Sequence, residues 1–491
     1  MKKTIALLLA ILMLCPLIVS CGGDLTEETS EEAVTEEEGG LKVSDKIKGV
    51  KFDGEDINIW QTITASNLAE YYYDMNGSSD ATDFVSLELY KRNVTAGEYL
   101  NVKINFIDTE ATSAESADAI RPFLLAEDPD YDAYQLVQHR GMPLVIEGWF
   151  KNLDNSKYLD FSGEWWAQDF MKNAQVNGHN YVLAGDIGVD MVSCAGAVFV
   201  NKNMLNANNG EGAYEELRTM VLEGKWTIDK LAELSKNMYK DLNNNTVVDL
   251  EDQFGFLSSQ IFMDGFYLGA GGTIFQRNND GKVELTMGDE HSVNVMDRVF
   301  KLMRTESPDD FGINAGDTQL YNSKHSTQLV QKFADGETLF AIGYLYTARG
   351  FTDMKDSFAP LPYPKYDIDQ KQYYSGIHNS TTLYAIPKYC TKYDQTGATF
   401  EAMAAFGSQM VVPFYYEQVL KLRYIDDEGD AKLVDLIYDT RMSDIAVIFG
   451  SEAFEFPRLM VQENRSNLAW YLKRYNKDIK KELEDINNVK F

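Results

Sequence analysis

The sequence is poor in cations. Its 491 residues hold 45 Lys and Arg against 76 Asp and Glu, a formal net charge of −31. A nucleic-acid backbone is repelled by that balance, so nucleic acid is excluded as a partner. The sequences HExxH, GxSxG, CxxC and GxxxxGK[ST] are all absent. The signatures of metalloproteases, α/β-hydrolases, dithiol redox sites and P-loops are therefore missing. There is no internal repeat. Outside the first residues, no stretch approaches the run of apolar residues needed to span a bilayer. Cysteine is scarce: Cys15, Cys21, Cys194 and Cys390 are the four.

What is present begins with MKKTIALLLAILMLCPLIVSC. Lys2 and Lys3 precede an apolar run that is too short for a membrane span and is closed by small residues. This is the layout of an export signal over residues 1–20. Ile18, Val19, Ser20 and Cys21 resemble the lipobox of bacterial lipoproteins. That resemblance implies lipid on Cys21 and a protein anchored to the bacterial cell membrane on its outer side. The next segment, GGDLTEETSEEAVTEEEGG, has no Lys or Arg and almost nothing apolar. It cannot bury enough surface to offset its backbone entropy, and residues 21–47 are expected to form a disordered acidic tether. In that setting Cys194 and Cys390 form a bridge or stay as two separate buried thiols; spacing does not choose between them.

From about residue 48 the body is long enough for two lobes. DINIWQT alternates Ile57 and Ile59 before Trp60 and reads as a first strand. Residues 82–98 have helical spacing, with Phe84, Leu87, Leu89 and Val94 among the apolar positions. VKINFID and DYDAYQLVQ read as the second and third strands, and AGAVFVNK as a short buried one. In WTIDKLAELSKNMYK, Thr227 suits an N-cap, Asp229 the first turn, and Leu231, Leu234 and Met238 an apolar stripe. TLFAIGYLY suits a strand and DSFAPLPYPKYD a Pro-rich connection. Residues 399–450 are mostly helical in spacing. Strands interleaved with helices predict an α/β fold.

The stretch DLNNNTVVDLED, residues 241–252, places oxygen-bearing side chains at its first, third, fifth, ninth and twelfth positions. A hard dication takes six to eight oxygens, and the EF-hand loop supplies them at this spacing. Asp241, Asn243, Asn245, Asp249 and Asp252 match the side-chain places, and Val247 the backbone-oxygen place. The sixth position is Thr246 rather than Gly, and the twelfth is Asp rather than the longer Glu. The pattern predicts a weak structural Ca²⁺ site, with a dissociation constant on the order of 10⁻⁴ M or worse. The other reading is a solvated Asn/Asp turn. Nothing nearby makes the loop catalytic.

GKWTIDKLAELSKNMYKDLNNNTVVDLEDQFGF resembles the helix, calcium-like loop and D-Q-aromatic-G strand of extracellular solute-binding protein family 1. These lipoproteins serve ABC importers, often of carbohydrates. NGHNYVLAGD, AVFVNKNML, FADGETLFAIG, PLPYPKYD and FYYEQVLKLRYIDDEGDAKLVDLIYDTR resemble further family segments, in the family's order along the chain. The resemblance implies the type II periplasmic-binding-protein fold: two α/β lobes, crossing hinge strands and a ligand cleft between them. It implies lobe 1 over 48–188 with 338–376, and lobe 2 over 189–337 with 377–491, with crossings near 185–192, 338–366 and 375–385. It also implies a small-molecule solute, most often a sugar, and ABC-transporter permease subunits as partners. No bond is made or broken by such a protein.

Sugars offer flat C–H faces to aromatic rings and hydroxyl rims to polar side chains. On this basis Trp60, Trp165, Trp166, Asp186, Tyr267, Tyr344, His378 and Asn379 are the candidate ligand residues. For each the alternative is packing: a core ring for the aromatics, a hinge cap for Asp186, a structural histidine for His378. Two rival functions share these residues. One is a surface glycan-capture or sensing lipoprotein without transport. The other is a lipoprotein glycoside hydrolase, which needs two opposed carboxylates that no local motif supplies.

Overall fold

The structure is a computed structural model that describes residues 41–62, 75–258, 262–304, 325–351, 353–417 and 428–489. The export signal and Cys21 lie outside these residues. Among the described residues no helix is long and apolar enough to cross a membrane. The tether expected through residue 47 ends sooner. Ser44 and Ile47 are buried, and the Gln409 side chain accepts from Lys42 N and donates to Lys42 O, both at 2.8 Å.

The first sheet is built from β1 (Asp56–Gln61), β2 (Lys103–Asp108), β3 (Ala133–Val137) and β11 (Thr382–Ala385), in the order β11-β3-β1-β2. β1 runs parallel to β2 and β3, and β11 is antiparallel to β3. Helices cover both faces, as parallel strands require. Ile57 and Ile59 pack with Val85 and Leu89 of the helix Phe84–Leu100 and with Phe400 of the helix Tyr393–Phe414. Trp60, pointing the other way, packs with Ile120 and Leu124 of the helix Ser116–Ala126. Asp83 caps Phe84–Leu100, accepting from Val85 N and Ser86 N at 3.2 Å. The apolar stripe expected on this helix is rotated. Phe84 and Val94 are exposed, and the buried face is Val85, Leu89, Arg92, Ala96 and Leu100.

The second sheet has the order β5-β8-β4-β9, from β4 (Gly196–Asn201), β5 (Phe254–Leu257), β8 (Thr338–Tyr344) and β9 (Phe358–Leu361). β4 is antiparallel to β8 and β9, and β5 is parallel to β8. On one face Phe199 meets Phe351 and Phe358 at 5.1 and 6.2 Å; on the other Trp226 meets Phe340 at 5.7 Å. A hairpin of β6 (Phe275–Arg277) and β7 (Val283–Leu285) stands apart, and β10 (Ser375–Gly376) pairs with β12 (Arg441–Met442).

This topology corrects the expected lobe boundaries. Residues 338–361 belong with the second sheet, not the first, and 382–414 with the first, not the second. β8 is buried along its length between β4 and β5, so it is a central strand of the second lobe. The chain crosses from the first sheet to the second near 185–195 and returns at 376–382; the crossing expected near 338–366 does not occur, because β8 and β9 both stay in the second sheet. The helix expected to run to Lys240 ends at Ser235. Asn237, in the left-handed region at φ 59°, turns the chain there. Cys194 and Cys390 are separate buried thiols.

Candidate functional site

The parallel strands of each sheet end at one edge, and the crossings enter at those same edges. Val137, the last residue of β3, pairs with Thr382, and Tyr344, the last of β8, pairs with Gly196. Ligands of open α/β folds bind outside such strand ends, where the chain changes direction between halves. The side chains gathered here come from both lobes and from the crossing.

Tyr344 closes β8, and its ring meets His378 of the return crossing edge-on at 4.7 Å. Tyr346 stacks on Tyr344, with centroids 5.5 Å apart and planes 17° apart. Phe262, beyond the end of β5, lies 5.9 Å from Tyr344. From the first lobe, His139 lies two residues past β3, in the first turn of the helix Gln138–Ile146; its N–H and its Nδ1 both meet Asn379 O, at 3.1 and 2.9 Å. His378 Nδ1 accepts from Ser380 N at 3.0 Å, which fixes the tautomer with hydrogen on Nε2. From the second lobe, Arg458 pairs with Glu455 at 2.8 Å, and its charge acts on Asp264, His139 and His378.

Burial sets the charge states. It pushes His139 down to about 4 and His378 down to about 3, and the neighbouring cations add to the effect, so both imidazoles are neutral at pH 7. Burial pushes the Asp264 carboxyl up to about 6, with Glu455 adding to the rise and Arg458 opposing it. Asp264 Oδ1 and Arg458 Nε are buried without a hydrogen-bond partner. The junction therefore gathers a stacked phenol pair, two neutral imidazoles and two buried polar atoms without a hydrogen-bond partner. Those are groups that grip and orient a polar molecule.

Of the eight candidate ligand residues, Tyr344, His378 and Asn379 come together here. The other five do not. Trp60 is fully buried beside Tyr134, at 6.4 Å between rings, because both faces of β1 are covered. Tyr267 is fully buried in the helix Met263–Gly269 and donates its hydroxyl to Thr273 O at 2.9 Å. Trp165 and Trp166 are both buried, and Trp166 Nε1 donates to Glu401 at 3.2 Å. Asp186 lies in the first crossing, its N–H donating to Trp165 O at 2.9 Å, and burial pushes its carboxyl up to about 7 against the Arg441 charge. The residues passed over are His139, Phe262, Asp264, Tyr346, Glu455 and Arg458. A signal for His139 was legible, since it directly follows the stretch DYDAYQLVQ, which reads as a strand.

The loop 241–252 is closed by its own hydrogen bonds. Asp241 accepts from Asn245 N at 3.3 Å and from Thr246 N at 2.8 Å. Asn245 Oδ1 accepts from Val247 N at 2.7 Å, and Asn245 Nδ2 donates to Asp249 at 2.9 Å. Asp252 accepts from Tyr239 OH, Leu242 N and Asp249 N at 2.9, 3.2 and 3.2 Å. Thr246 takes φ 62°, the left-handed turn that glycine normally supplies. Among the described residues, no three Asp, Glu, His or Cys side chains are grouped to hold a metal ion.

No family model matches the chain, and no curated protein does. Solved structures do match. An ABC substrate-binding protein from Listeria monocytogenes in complex with cycloalternan is 14% identical, covering 88% of this chain and 99% of its own, with a TM-score of 0.51. A cyclo/maltodextrin-binding protein complexed with maltotetraose is 12% identical over 89% and 100% of the two chains, with a TM-score of 0.54. UgpB from Mycobacterium tuberculosis, in complex with glycerophosphocholine, is 11% identical over 88% and 98%, with a TM-score of 0.53. At these identities the likeness shows the fold: the two-lobed architecture of periplasmic-type binding proteins.

Proposed function

We propose that the protein is an extracytoplasmic solute-binding lipoprotein that captures a small polar solute, a carbohydrate, at the junction of its lobes and delivers it to an ABC importer. The observation that carries this reading is the stacked Tyr344–Tyr346 pair, set beside His378 where the chain crosses between lobes. Stacked rings suit the C–H faces of a pyranose, and the surrounding neutral imidazoles and Asp264 carboxylate suit its hydroxyls. The fold's solved neighbours, named as binding proteins and several of them holding sugars, support the same reading. A solute touching both lobes favours the closed arrangement by its differential affinity, and a permease reads that arrangement. The protein binds and releases; no bond changes. Cys21 carries the lipid anchor in this reading, and the permease subunits are its partners.

Calorimetric titration of the full chain against a panel of neutral mono- and oligosaccharides tests it. One sugar is expected to bind in the micromolar range. Tyr344→Ala and Tyr346→Ala are each expected to weaken it at least tenfold, about 1.4 kcal/mol. Trp60→Phe, in the core, leaves affinity intact. Release of shortened products from any oligosaccharide would instead identify a hydrolase.

We also propose that the 241–252 loop takes Ca²⁺ weakly. Its oxygens sit at the right spacing, and Thr246 supplies the needed turn. At about ten times the dissociation constant, the gain is about 1.4 kcal/mol. That predicts a rise of about 2 °C in melting temperature at millimolar Ca²⁺. An unchanged melting curve rejects the ion.

A further inference from the structure

The return crossing has two sides. His378 turns to the Tyr344 ring, while Ile377, one residue back, borders a cavity of about 590 Å³ on the far side of the crossing strands. Successive side chains of an extended segment point to opposite faces, so the cavity and the junction are separated by the crossing itself.

We propose that this cavity is a second binding site, for a neutral polyhydroxylated molecule of mono- to disaccharide size. Its volume lies within the range of small-molecule sites. Trp166, Tyr374 and Tyr438 supply rings to its walls. Arg441 is held in place, 3.7 Å over the Tyr438 ring and donating to Met191 O at 2.9 Å and Tyr438 O at 2.8 Å. The charged lining is balanced: Lys172 and Arg441 stand against Asp169 and Asp439. A neutral occupant fits that balance better than an ion does. Ser443 also lines the cavity.

The walls belong to two parts of the fold. Residues 166–173 come from the first lobe, and Ile377 and Arg441–Met442 from the crossing strands. An occupant therefore favours whichever lobe arrangement keeps the cavity at its present width, and it couples to the junction without touching it. The site's existence does not depend on what the junction binds.

Saturation-transfer NMR with maltose at 20 mM, compared between the full chain carrying Tyr344→Ala and the same chain carrying a cavity variant as well, reads the second site by difference. Transfer to maltose is expected to persist. Ser443→Phe, which fills the cavity, should reduce it at least fivefold. Tyr374→Ala, which removes one wall without adding bulk, should reduce it about threefold, with circular dichroism melts verifying that both variants fold. Transfer that Tyr344→Ala abolishes, transfer that survives both cavity variants, or no transfer to the unaltered chain overturns the proposal. If sugars fail at the junction while the cavity signal persists, only the junction reading falls.

Discussion

Glu401 is fully buried in the helix Tyr393–Phe414, where it accepts from Trp166 Nε1 at 3.2 Å and Asp160 N at 3.0 Å. Burial pushes its carboxyl up to about 7 from 4.5, despite those donors. The folded state thus holds a proton that the unfolded state has lost, and this residue's contribution to stability falls as pH rises from about 4.5 to 7. Glu401→Gln is expected to stabilise the protein by about 1–2 kcal/mol at pH 8 and to change little at pH 4.5, read from melting temperatures. His139 and His378 have the opposite sign. Their folded values lie below 6.5, so their contribution is whole above that pH and is lost as pH falls toward 4. At this scale the sequence was only half legible. Trp60 and Tyr267 are aromatic, as a sugar site demands, but residue type does not reveal that each lies under a covered sheet or helix. Tyr344 and His378 meet because β8 ends where the crossing begins, a pairing made by distant segments.

The helix Tyr393–Phe414 lies against the first crossing as well as against Phe84–Leu100. A Cβ placed on Gly407 would collide with the carbonyl oxygen of Asp186. Arg92, buried in the same region, donates to the carbonyls of Ile187 and, at 3.4 Å, Met403, and burial draws its guanidinium down to about 10. Gly407→Ala is expected to cost about 3 kcal/mol, measured as a lowered denaturation midpoint with an unchanged slope. Elements were the most legible level. β1, β2, β3, β4 and β8 appear where alternation or short apolar runs placed them, because those periods are local. Their partners were not legible. The 338–361 segment reads as strand and connection either way, and only its register with Val198 and Val200 assigns it to the second sheet.

Across the whole molecule, side-chain hydrogen bonds tie the lobes in addition to the crossings. Arg277 of β6 donates to the carbonyls of Gln175 and, at 3.3 Å, Asn173, both of the first lobe. Asp444 accepts from Ile274 N and Phe275 N at 2.8 and 3.1 Å, and three residues on, Val447 O accepts from Gln138 Nε2 at 3.1 Å. Arg277→Ala is expected to loosen this tie, increase the radius of gyration in scattering and weaken solute binding severalfold. Arg277→Lys, which lacks the two-pronged donor, should fall between. Equal scattering profiles for all three chains would show that the tie does not set the lobe arrangement.

The late arrival of β11 has a further consequence. A nascent chain threading out N-terminus first lays down β1, β2 and β3 early, yet the outer rim of β3 has no neighbour until Thr382 follows. Through synthesis of the entire second half-sheet, Leu136 and Val137 present a bare, sticky border of the kind that recruits stray strands. Chaperone dependence and yield should therefore track how quickly the last strand docks, more than how stable the finished protein is.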